Sequence, residues 1–134
     1  MIEPTITTLV PSIENVNDPP IGIVTVTPQN INKPINPGDI LMCHSTITDL
    51  DLMGPITYQW YKIDSLDTSS SPIPIGSDRS QYTVTDDDEG FNIYVEINYQ
   101  DLQGTDENVK SDNVVGPVIS LPVPATSATV TAVV

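Results

Sequence analysis

The chain has 134 residues, room for one sandwich of about 100 residues with extended ends. Its 18 acidic against 4 basic side chains give a net charge of -14, which excludes nucleic acid and anionic membrane surfaces as partners, since both demand positive charge. The single cysteine, Cys43, excludes an intrachain disulfide and reads as a small strand residue.

Richness in Thr, Ile and Val, 13 prolines and no long stretch of 3.6-residue periodicity point to an all-β chain. Residues 1–19 read as an N-terminal arm, with the β-prone run Thr5-Ile6-Thr7-Thr8-Leu9-Val10 between Pro4 and Pro11, then a stiff junction ending at Pro19-Pro20. Seven strands are expected over residues 20–116. The first two are Gly22–Thr27 and Asp39–Ile47. The third is Pro55–Tyr61, where Ile56, Tyr58 and Trp60 share one face and the only tryptophan, burying roughly 200 Å², anchors the core. Ile73–Ile75 is an edge piece blunted by Pro72 and Pro74, and Ser80–Thr85 turns Tyr82 and Val84 inward. A central strand places Phe91, Ile93, Val95, Ile97 and Tyr99 inside, with Asn92, Tyr94, Glu96 and Asn98 opposite. Asn108–Val115 closes the set. Residues 117–134 read as a C-terminal extended arm or strand, uncharged and β-branched from Thr126, a hazard unless paired.

In order, Val16-Asn17-Asp18-Pro19-Pro20, Asp49-Leu50-Asp51, Ile56-Thr57-Tyr58-Gln59-Trp60, Ser80-Gln81-Tyr82-Thr83-Val84-Thr85, Asp88-Glu89-Gly90 and Tyr99-Gln100-Asp101-Leu102-Gln103-Gly104-Thr105 make a pattern. It resembles the immunoglobulin-like and cadherin-like tandem repeats of bacterial surface adhesins, over about residues 15–116. The resemblance implies an Ig-like antiparallel β-sandwich of about seven strands. That family's loop usually reads Asp-Ala-Asp-Gly; Leu52 stands where its glycine would be. In an Ig-like topology Asn17, Asp18, Asp49, Asp51 and Asp101 would gather at one pole, an oxygen set suited to Ca²⁺. The alternative role of these acids is in turns, amide caps and solubility. Asp86-Asp87-Asp88-Glu89 falls at the opposite pole.

Catalysis finds little support. His44 is the sole histidine, lies in an expected strand and has no Ser or Cys nucleophile motif around it. No phosphate-cradling glycine loop, zinc spacing or basic-aromatic interleaving is present. No basic segment followed by an apolar one succeeds Met1, so use without export is expected, and no run is apolar enough to span a bilayer. The expected function is therefore a non-enzymatic structural module. The first reading is a virion surface protein, a capsid decoration or cement protein or a tail appendage. In it Thr5, Ile6, Leu9, Val10, Thr129, Val130, Thr131 and Val133 pair with protein partners, including copies of the chain. The second is a calcium-dependent adhesin repeat at a bacterial cell surface, acting as spacer or carbohydrate-binding module.

Overall fold

The computed structural model describes residues 16–121, and the arm residues Thr5 to Val10 and Thr129 to Val133 lie outside that range. Seven strands form two antiparallel sheets. β1 (Val24–Pro28), β2 (Ile40–Ser45) and β5 (Gln81–Thr83) make one, in the order β1-β2-β5. β4 (Ile73–Ile75), β3 (Thr57–Asp64), β6 (Phe91–Gln100) and β7 (Asp106–Lys110) make the other, in the order β4-β3-β6-β7. The chain is an all-β sandwich, as its turn spacing predicts.

Alternation sets which side chains meet between the sheets. Val24, Val26 and Leu41 from one and Trp60, Ile93, Val95 and Ile97 from the other are buried together. Trp60 is fully buried, its ring stacks on Tyr82 at 5.7 Å, and its Nε1 donates to the Arg79 carbonyl at 2.7 Å. The indole thus buries its area without stranding its N–H. Ile56 departs from the expected pattern: it precedes β3 and is exposed, because the strand begins only at Thr57, opposite Asn98. Tyr94 departs the other way. It lies on the outer face yet is 3% exposed, since Tyr61 stacks on it at 5.3 Å and the Lys110 ammonium sits 4.3 Å from its ring centroid.

The strand directions send the chain in at one end of the sandwich and out at the other. Residues 16–23, the β2–β3 loop and the β6–β7 loop form the N-terminal pole, where Ile21 bridges Thr48 and Met53 bridges Asp101. The C-terminal pole holds the β1–β2 loop, the 3-10 turn Asp86–Asp88 and the outgoing chain. There Val118 is buried, Glu89 bridges Val118, and the Ile119 N–H donates to the Ile35 carbonyl. The body therefore runs past residue 116, and residues 117–119 belong to it rather than to an arm. After β7 the chain stays bonded to β6 through Ser111 and Val115 and also reaches the first sheet: Asp112 N–H donates to the Val24 carbonyl, and the Asn113 side chain both accepts from Val26 N–H and donates to its carbonyl, at 2.8 Å each. An amide here does what a neighbouring strand would do for the open edge of β1.

Cys43 sits half-buried in β2, and burial pushes its thiol up to about 11. Its thiolate fraction at pH 8 is then about a hundredfold lower than that of an ordinary thiol. Alkylation in the native protein is expected to be slower than in urea-unfolded chain by a comparable factor, read by a chromogenic thiol assay. Equal rates would show that the thiol is open.

Candidate metal centre

Two loops and the incoming chain build the N-terminal pole. In the β2–β3 loop, Asp49 Oδ1 accepts from Asp51 N–H at 2.8 Å and the Leu52 N–H donates to the Asp49 carbonyl at 3.0 Å, a turn closed by its own aspartate. Leu52 takes φ +66°, the left-handed conformation that a glycine would adopt freely and that costs another residue about 1 kcal/mol. The turn thus takes its left-handed residue from a leucine. Aspartates face inward and leucines outward: Leu50 and Leu52 are exposed, while Asp49 and Asp51 are buried.

Gly54 brings this loop against the next. Its N–H donates to the Gln100 carbonyl at 3.0 Å, and a Cβ at Gly54 would stand 2.3 Å from that oxygen, so only glycine permits the approach. In the β6–β7 loop, Asp101 Oδ1 accepts from Gln103 N–H at 2.9 Å and Thr105 N–H at 2.8 Å. The Leu102 N–H reaches back to the carbonyls of Asp51 and Leu52, locking the loops together. The incoming chain is tied by the Asp18 N–H, which donates to Asp51 Oδ2 at 2.8 Å.

Asp49, Asp51 and Asp101 each bring one carboxylate oxygen within 4.8 Å of the other two. All three residues are buried, Asp101 to 3% exposure, and Asp101 Oδ2 is enclosed without any hydrogen-bond partner. A buried carboxylate oxygen left bare costs free energy, and three such acids together repel one another. A cation bound among them would remove both costs. Two oxygens on one Ca²⁺, each at about 2.3–2.6 Å, stand at most about 5 Å apart, so this trio fits a single ion. The donor set is all oxygen, the chemistry of a hard cation.

Of the five residues the sequence nominated, three converge. Asp18 meets the cluster through its main-chain N–H, and Asn17 turns aside, its Nδ2 donating to Glu107 Oε1 at 2.8 Å. Alternation marks Tyr99 only as a core residue, yet its hydroxyl donates to Asp49 Oδ2 at 2.6 Å and holds that carboxylate in place. The alternation that put Tyr99 inside, one residue before Gln100 and Asp101, was the available signal. His44 is exposed on β2. Among the described residues no helix is long and apolar enough to cross a membrane.

Burial, and then the bond to the Asp49 carboxylate, hold the Tyr99 phenol well above its ordinary range; burial and Asp88 do the same for Tyr82. Folding thus favours the neutral phenols. Their contribution to stability is complete below about pH 10, where the unfolded chain also keeps its protons, and is lost as pH rises beyond it. Urea midpoints measured from about pH 8 to 11 are expected to fall above about pH 10. The fall should be shallower for Tyr99→Phe. Parallel curves for the two proteins would remove Tyr99 from the cause.

Compared with known families and curated proteins, the chain finds no match to any family model and no match to any curated protein.

Proposed function

We propose that the chain is a non-enzymatic structural module, an Ig-like spacer whose N-terminal pole takes up Ca²⁺ to fix the incoming polypeptide against the body. The observation that carries this reading is Asp101 Oδ2, buried and bare within a trio of carboxylates. Asp51, a member of that trio, also grips the chain where it enters, at Asp18. Filling the site therefore stiffens the junction with whatever precedes it. The sandwich runs from pole to opposite pole, which suits a unit set end to end in a larger surface structure. The virion decoration reading rests on pairing by Thr5, Ile6, Leu9, Val10, Thr129, Val130, Thr131 and Val133, which lie outside the described residues; the adhesin-like spacer draws on the body itself.

The test is hydrogen exchange read residue by residue with and without Ca²⁺. Saturating Ca²⁺ is expected to slow the amides of Asp18, Asp51, Gln103 and Thr105, all of which donate to the three aspartates, by tenfold or more (about 1.4 kcal/mol of local stability). Unchanged exchange at these four amides in millimolar Ca²⁺ would rule the reading out.

A further inference from the structure

We propose that the outer face of the β4-β3-β6-β7 sheet, at its N-terminal end, binds a neutral, hydroxyl-rich oligosaccharide. The inference does not rest on the cation site. A cavity of about 410 Å³ opens there, lined by Pro55, Thr57, Asn98, Asp106, Glu107 and Asn108 among others. That volume lies within the range of small-ligand sites. Its polar side chains on the outer face are the Thr57 hydroxyl, the Asn98, Gln100 and Asn108 amides and the Asp106 carboxylate, with no cationic side chain, so a phosphate or carboxylate ligand is repelled.

The amides are arranged for hydroxyls. Thr57, Asn98 and Asn108 form one row across β3, β6 and β7. Asn108 Nδ2 donates to Asn98 Oδ1 at 2.5 Å and to Glu96 Oε2 at 3.1 Å, which leaves Asn98 Nδ2 and Asn108 Oδ1, a donor and an acceptor on neighbouring side chains, without partners among the described residues. A sugar hydroxyl both donates and accepts, and so satisfies the two together. In the next row Glu96 faces Lys110, so the middle of this face is electrically balanced although the chain carries -14. Farther along β3 on the same face, about 14 Å from Thr57 at about 3.4 Å per residue, half-buried Tyr61 stands stacked on Tyr94. An extended saccharide seated in the cavity can lay its apolar ring face on that phenol. A strand-like peptide would instead pair at a sheet edge, not lie across a face.

The experiment maps amide shifts of the isotope-labelled full chain during titration with neutral hexasaccharides of glucose, galactose, mannose and N-acetylglucosamine, with spermidine as the cationic comparison. At least one saccharide is expected to shift residues 57, 98 and 106–108 with Kd about 0.1–1 mM. Asn98→Ala combined with Asn108→Ala should weaken that binding about tenfold or more at an unchanged melting temperature. Tyr61→Ala should weaken the hexasaccharide more than the matching disaccharide. Shifts with spermidine alone, shifts at other residues, no shifts with any of the four saccharides, or binding indifferent to the asparagine variants would each overturn the proposal.

Discussion

Millimolar Ca²⁺ is expected to raise the melting temperature of the chain by about 10 °C, and EDTA to reverse the gain. A ligand held only by the folded state stabilises it by RT ln(1 + [L]/Kd), about 2.7 kcal/mol at a hundred times Kd. For a domain of this size each kcal/mol moves the transition by about 4 °C or more. Asp101→Asn should abolish the response. That variant preserves shape and leaves an oxygen to accept from Gln103 and Thr105, while it removes one of three clustered negative charges. Without Ca²⁺ it should therefore melt at or above the wild-type temperature, since the repulsion is relieved. An aspartate that served only to shape its loop would show neither effect. A wild-type melting curve indifferent to both Ca²⁺ and EDTA would end the cation reading.

Loss of Asp88 is expected to cost about 3–5 kcal/mol, a large part of the 5–15 kcal/mol that holds a domain of this kind together. Asp88 is 1% exposed and accepts from the Tyr82 hydroxyl at 2.5 Å, from Thr85 N–H at 2.9 Å and from the Thr85 hydroxyl at 3.2 Å. Lys62, buried in β3, stands 3.3 Å from its other oxygen and donates to the Asp87 carbonyl at 2.7 Å, with the Phe91 ring 4.6 Å away. Asp88→Ala would leave a buried ammonium and a buried hydroxyl short of their partners. Lys62→Met added to Asp88→Ala should restore more than half of the loss by removing the uncompensated charge. Urea midpoints at unchanged slope would measure both steps. A cost below about 1 kcal/mol for Asp88→Ala would show that Lys62 and Tyr82 find other partners.

What the sequence disclosed depended on the range of the interactions involved. β6 was legible because one face of it is core from Ile93 to Tyr99, so alternation is enforced at every second residue. β3 was legible at Trp60 but misplaced by two residues at its start, because Pro55 and Ile56 satisfy strand propensity without having a partner on β6. Asp49, Asp51 and Asp101 could be brought together because turns fix where loops fall in a sandwich. Asn17 could not be separated from them, since only the distant Glu107 decides where its amide points. Nor could Tyr94, on the polar face of its strand, be read as buried: Tyr61 and Lys110, which cover it, come from other strands. The burial of Val118 likewise depends on residues 27 or more positions earlier in the chain.

The Asn113 clasp has a mechanical consequence. Val24 and Val26 of β1 meet Asp112 and Asn113 in the same chain direction, and the two segments leave the body at opposite ends. A pull on the two ends would therefore slide the first strand lengthwise along the last segment, loading those bonds in shear so that they yield together instead of peeling one after another. A joint whose bonds must break together resists tension better than one whose bonds part in turn.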